Sequence, residues 1–172
     1  GNLPYVEAYG HRGPLVYIIY AIPFLFENYI ISLKLLCILS IWLTAIICFK
    51  TSEKFFGKNA AIFSSFSFSF VSSSELFFLT SDVEIFLLPF IALFIHFLFN
   101  NIDHPKIKNI VIAALAISAA TLIRNYLGII AIFGCFIVLQ SKQSKTLNLI
   151  TYIVSGLLPL IIFLSFYINI EN

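Results

Sequence analysis

The pattern of this chain is a series of long apolar stretches separated by short polar ones. The stretches cover about 29–49, 59–76, 84–99, 109–123, 126–139 and 147–168. Three of them, 29–49, 59–76 and 147–168, reach the ~17–25 apolar residues with which a helix crosses a bilayer, and all six are read as spans. Leu15–Phe26 is apolar but shorter, follows the turn signal Gly13-Pro14 and contains Pro23. It predicts a kinked interfacial or re-entrant helix that ends at Glu27-Asn28, with Tyr5, Tyr9, Tyr17 and Tyr20 suited to the headgroup level. One stretch is ambiguous. FSSFSFSFVSSS alternates Phe and Ser as a strand would, yet a lone strand leaves its backbone unsatisfied in lipid and no neighbouring stretch alternates. It is therefore expected to be helical, with Ser65, Ser69 and Ser72 on one face suited to close helix packing. Further kinks are expected at Pro89 and Pro159, and a tight hinge at Arg124-Asn125.

The expected fold is thus all-α, a polytopic transmembrane helical bundle with an interfacial juxtamembrane helix, forming a single domain over 1–172. Composition agrees: 60% of the residues are hydrophobic, 10% are charged and the mean hydropathy is +1.02. A soluble domain carries roughly 25% charged residues, so that class is excluded. The three cysteines, Cys37, Cys48 and Cys135, lie inside apolar stretches and read as small packing residues.

Charge gives the chain a direction. Lys50, Lys54, Lys58, Lys106, Lys108, Lys142 and Lys145 fall in alternate loops, which the positive-inside rule makes cytoplasmic. The other side collects Glu7, Glu27, Glu75, Asp82, Glu84 and Glu171, with Arg12, Lys34 and Arg124 as its basic residues. This puts 1–14 outside the cytoplasm as an external loop. The chain opens on Gly and has no Met, and an external start without a signal peptide predicts a further span upstream. The chain is accordingly expected to be a fragment.

Leu3–Leu15, LPYVEAYGHRGPL, is the longest polar piece of the chain, and candidate chemistry should gather against it. Ionisable groups at or just inside a membrane are costly and tend to mark functional sites. Carboxylates can act as a general base or hold a metal, while Arg and Lys can hold a phosphate. An acid beside a phosphate clamp suits group transfer from a lipid phosphate. Each candidate also has a plain structural reading. Arg12 and Arg124 could anchor to headgroups and Lys34 could snorkel to the interface. Asp82 reads more readily as a helix cap than as a catalyst, and Glu84 could serve as a dipole partner. His96, inside a span, reads as hydrogen-bonded to a neighbouring helix.

LPYVEAYGHRGPL, then LFENYIISLKLL, the FGKNAA loop and TSDVEIFLLPF together resemble the polyprenyl-phosphate-sugar-dependent membrane glycosyltransferases of the C-type fold. These include protein O-mannosyltransferase-like and aminoarabinose-transferase-like bacterial enzymes. The resemblance covers almost the whole chain through loose motifs. In it, Glu7 takes the first acidic place of the external loop, and Arg12 the basic place before Gly13-Pro14-Leu15. Lys34 takes the basic place in the following span and Glu84 the acid that opens a later one. Arg124 resembles a basic residue after the fifth family span. Gly10 stands where the family has its second acid, a departure that removes a carboxylate pair from this loop.

The resemblance implies transfer of a sugar from a polyprenyl-phosphate donor to an acceptor on the outer face of a membrane, expected to be the bacterial plasma (inner) membrane. Glu84 and Glu7 are the catalytic candidates; Arg12, His11, Lys34, Asp82 and Arg124 are the substrate-binding ones. No metal ligand is assigned, and a divalent metal cofactor is left open. The implied partners are the lipid-linked sugar, membrane lipids and an acceptor that is a protein, a glycolipid or a polysaccharide; no nucleic acid is expected. The family's principal acid lies upstream of LPY, so this chain alone is expected to be inactive. A transporter or flippase module without covalent chemistry is the rival reading. It predicts midspan polar groups and paired broken helices.

Overall fold

The computed structural model describes residues 13–73, 83–103, 105–140 and 145–170. The candidates Glu7, His11, Arg12 and Asp82 lie outside the described residues. Seven α-helices and two 3₁₀ turns account for nearly all of these residues, and no strand occurs among them. The helices are α1 Pro14–Ala21, α2 Tyr29–Phe56, α3 Lys58–Ser72, α4 Val83–Asp103, α5 Ile107–Ile123, α6 Gly128–Leu139 and α7 Lys145–Ile170. Three are long and apolar enough to cross a membrane: Tyr29–Phe56, Val83–Ile102 and Lys145–Ser165. The chain divides into two compact units, one of Ile18–Ala92 and one of Gly1–Tyr17 with Leu93–Asn172.

In the Ile18–Ala92 unit, the kink expected at Pro23 is a 3₁₀ turn, Ile22–Leu25, that follows α1; Phe26 N–H closes it on the Pro23 carbonyl at 3.2 Å. Asn28 then starts α2, its side chain accepting from Ile31 N–H at 3.2 Å. Helix α2 continues to Phe56, through most of what the polar pattern marks as a loop over Lys50–Lys58. Thr51 Oγ1 donates back to the Ile47 carbonyl at 2.7 Å, so this polar stretch satisfies itself in helical form. What stops the helix is Gly57 at φ 85°, ψ 173°, a conformation essentially reserved for glycine. Its N–H still reaches the Glu53 carbonyl at 3.1 Å, and α3 starts at the next residue.

The ambiguous Phe/Ser stretch is helical in α3. Its faces sort by period: Phe63, Phe66 and Phe70 are 75%, 70% and 74% exposed, while Ala61 and Ser72 are buried. Helix α3 packs on α2, and Ser64 Oγ donates to Ser52 Oγ at 2.8 Å across the pair. The core of this unit joins Leu33, Cys37 and Ile41 of α2 to Ile85 and Phe86 of α4, with Tyr20, Leu36 and Phe68 packed around it. Tyr20 meets the Phe86 ring edge-on at 5.8 Å.

The other unit is organised around α5. Ile110, Ala113, Ala114, Ile117, Ala120 and Ile123 are buried along one broad face of it, which Ala116, Ser118 and Leu122 extend, while Leu115 is exposed. Its many alanines let α7 come close: a Cβ added at Gly156 would stand 3.8 Å from the Ala114 carbonyl oxygen. Helix α6 packs against α7 through a second glycine. Gly134 lies under the Tyr152 ring, and Tyr152 Oη donates to the Ala131 carbonyl at 3.1 Å. Asn100 Nδ2 lies 2.8 Å from His96 Nε2, one turn along the same α4. The polar stretch after α4 is short because Asn101, itself buried, accepts from Lys106 N–H at 3.1 Å.

The N-terminal end of α1 docks on the C-terminal end of α5. Gly13 N–H donates to the Ile123 carbonyl at 3.0 Å, which satisfies one of the acceptors that a helix end leaves open. A Cβ on Gly13 would overlap the Leu122 carbonyl oxygen and stand 2.5 Å from its carbon. Only a residue without a side chain comes this close to the backbone.

Two substitutions test these contacts. Gly13→Ala should destabilise by about 1–3 kcal/mol, because backbone atoms must move to admit the methyl group. Hydrogen exchange should rise at the first turn of α1, and unchanged exchange there would mean that the dock contributes nothing. Gly134→Ala should cost a similar ~1–3 kcal/mol in a thermal melt in detergent, since the Tyr152 ring must give way. In a Tyr152→Ala background the same change should cost less than half as much; equal costs would show that the ring is not the obstacle.

Candidate functional site

Among the described residues, three of the expected site residues can be placed: Lys34, Glu84 and Arg124. Glu84 stands in the first turn of α4, where a carboxylate is favoured by the unpaired amides and the positive end of the helix dipole. Its Oε2 is out of reach of solvent. The side chain lines a cavity of about 430 Å³ with Ser67, Phe68, Val71 and Ser72 of α3 and Ile85 and Leu88 of α4. The walls are apolar except for the carboxylate and two serine hydroxyls. This is a pocket with few, placed polar groups, the usual build of a small-ligand site.

Lys34 lies early in α2, half-buried. Its chain neighbour Leu33 belongs to the same core as Ile85, the chain neighbour of Glu84. One apolar cluster thus fixes the helix turn that carries the ammonium and the one that carries the carboxylate.

Arg124 belongs to the other unit. It breaks the chain out of α5 in an extended conformation, φ −138°, ψ 109°. Its N–H still reaches the Ala120 carbonyl at 2.9 Å, and its own carbonyl accepts from Leu127 N–H at 3.0 Å. The 3₁₀ turn Asn125–Leu127 then leads directly into α6, so the expected hinge is a hydrogen-bonded corner. Arg124 itself is half-buried with its Nε out of reach of solvent, and it caps the C-terminal end of α5, where the helix dipole favours a cation. The same helix end holds Gly13, so the structure brings the GPL segment to the residue before Arg124. Sequence reasoning assigned Gly13-Pro14 to a turn and did not find this contact. The available signal was the glycine itself, placed directly before a helix-starting proline.

Among the described residues, no group of three His, Cys, Asp or Glu side chains comes together to hold a metal ion. The three cysteines form no disulfide, Cys37 being buried and the other two half-buried. What the placed residues can do is hold an acid against an apolar pocket in one unit, and a half-buried cation at a hydrogen-bonded corner in the other.

Comparison with known proteins gives one finding. Neither curated proteins nor solved structures provide a match. The sequence profile of the dolichyl-phosphate-mannose-protein mannosyltransferases matches residues 11–168, from His11 through nearly all of α7. That stretch contains the GPL dock, the Lys34 helix, the Glu84 pocket and the Arg124 corner, together with the long apolar helices of an integral membrane protein. The chain belongs to the dolichyl-phosphate-mannose-protein mannosyltransferase family, a family of membrane glycosyltransferases.

Proposed function

We propose that this chain carries part of the site of a glycosyltransferase that moves a sugar from a polyprenyl-phosphate donor to an acceptor on the outer face of a bacterial plasma membrane. The observation that carries the reading is Glu84, a carboxylate at a helix start, lining an apolar cavity beside Ser67 and Ser72. A general base needs a defined position next to the reacting hydroxyl and shelter from bulk water. A pocket of this kind offers both.

In the proposed reaction the acceptor hydroxyl oxygen attacks the anomeric carbon of the sugar, and the bond from that carbon to the phosphate oxygen breaks. The acceptor proton passes to a carboxylate, Glu84 with Glu7 as the second candidate. The lipid phosphate leaves with the bonding electrons, and its growing charge is met by Arg12, Lys34 and Arg124. Positioned cations of this kind stabilise charge that develops in the transition state. Arg12 directly precedes Gly13 in the chain, and Gly13 is hydrogen-bonded to the residue before Arg124. That adjacency supports a shared phosphate-binding role for the two arginines. His11 and Asp82 are assigned to substrate contact. The acceptor is a protein, a glycolipid or a polysaccharide.

In the intact protein, Glu84→Gln should lower sugar transfer from a polyprenyl-phosphate donor by at least about 100-fold, the span expected for loss of a general base, with membrane insertion unchanged. Full activity in that variant would remove Glu84 from the reaction. Arg124→Gln should raise the KM for the donor by about tenfold or more, given ~1.5–3 kcal/mol for a hydrogen bond to a charged group. Donor flux across the membrane without a glycosylated product would instead support a transporter or flippase.

A further inference from the structure

The unit that contains Leu93–Asn172 holds a cavity of its own, of about 270 Å³, between α5, α6 and α7. Gly128 and Ala131 of α6 and Gly156 of α7 leave the space, and isoleucine and leucine side chains wall it. Ile132 and Leu157 of the wall are exposed, so the cavity opens outward on one side of the three helices.

Among the described residues, Ser118, Thr121, Cys135 and Tyr152 are the polar side chains that line it, and no charged one does. Two of the hydroxyls have spent their protons inside the protein. Thr121 Oγ1 donates to the Ile117 carbonyl at 2.8 Å and Tyr152 Oη to the Ala131 carbonyl at 3.1 Å. Each oxygen keeps a lone pair with which to accept. Ser118 differs. It is only 3% exposed, its Oγ is out of reach of solvent, and this hydroxyl has no hydrogen-bond partner among the described residues. It does not make the bond to the carbonyl four residues earlier that Thr121 makes on the same helix. A buried hydroxyl left without a partner costs free energy. Rotation about one bond, between staggered positions, aims it at whatever fills the cavity.

We propose that this cavity binds the hydroxyl end of an uncharged lipid alcohol. An O–H group both accepts and donates, and the lining offers the matching set. Ser118 supplies a proton to the ligand oxygen, and Thr121, three residues on along the same helix face, accepts the ligand's own proton. An ion would lose its hydration among walls that carry no opposite charge. A plain hydrocarbon would leave Ser118 without a partner. At the ~30 Å³ of a water-sized group, the cavity holds roughly nine non-hydrogen atoms, the size of octanol. A longer chain leaves through the open side, past Ile132 and Leu157. Lys34, Glu84 and Arg124 take no part in this lining, so the site is independent of the glycosyl-transfer reading.

The probe is octanol with a diazirine on its chain, photolysed with the intact protein in phosphatidylcholine vesicles. Unlabelled octanol or octyl methyl ether competes with it, the two compared at equal concentrations in the bilayer. Adducts should map to the segments of α5, α6 and α7 that line the cavity. Octanol should compete about fivefold better than the ether, which accepts a hydrogen bond but has none to donate. Ser118→Ala should raise the octanol concentration for half-competition by about fivefold. Its helical circular dichroism signal should be unchanged, because the substitution removes no bond within the protein. Adducts spread over the exposed helix faces would overturn the proposal and mark simple partition into the bilayer. Equal competition by alcohol and ether would overturn the alcohol as the ligand, and an unchanged half-competition in Ser118→Ala would overturn the role of its hydroxyl. Should that variant lose helical signal, the comparison of alcohol with ether in the unmodified protein decides by itself.

Discussion

A peptide group in hydrocarbon has no water to bond, so each amide and carbonyl of a spanning segment must find its partner within the protein. The rest of this structure follows from that constraint. It turns the alternating Phe/Ser stretch into helix α3. It also disposes of the hydroxyls: Thr44, Thr121 and Thr151 each donate at 2.8 Å to the carbonyl four residues earlier, as does Ser69. These side chains become part of the helix's own bonding and need no neighbour. Where the backbone does leave the helix, at Arg124, the break is closed on both sides by hydrogen bonds. A conformationally rigid corner is what this environment requires, and it fixes a cation in place as a by-product.

Within that frame, the residues without side chains decide which backbones may approach. Gly13 brings the GPL segment to the carbonyl end of α5, Gly134 admits the Tyr152 ring, and Gly57 lets α3 begin directly after α2. The Gly13 contact joins packing to chemistry. The carbonyl end of a helix carries partial negative charge and draws cations, and the chain places Arg124 there as the next residue after the acceptor of the Gly13 amide. The motif HRGPL then reads as a tether as well as a source of charge.

Much of the fold was legible because apolar length is a strong signal. Tyr29 opens α2, Ile123 closes α5 and Leu139 closes α6 where hydropathy changes. Helix ends inside polar sequence were not legible. Lys50–Phe56 contains no residue that forbids a helix, so α2 runs on until Gly57, and α4 likewise continues to Asp103. Hydropathy measures where a helix may be buried, whereas termination depends on backbone geometry. Of the candidate site, the residue types at Lys34, Glu84 and Arg124 could be picked out from charge and motif. The cavity of Ser67 and Ser72 could not, since Phe/Ser alternation hides the helical face on which these serines meet Glu84. His96 shows the same limit: a half-buried histidine inside a span calls for a partner, and only coordinates reveal that Asn100 on its own helix supplies one.

The stretch from Phe63 to Ser73 has a further consequence. Without charge or proline, and with large apolar residues at alternate positions through much of its length, it also carries the sequence signature of stacked strands. As a helix against α2 it is harmless; extended in water it would be a site for aggregation. The protection is topological. Because a single glycine separates the two helices, α2 is at hand as soon as α3 has left the ribosome, and the time during which these phenylalanines can find another chain is short.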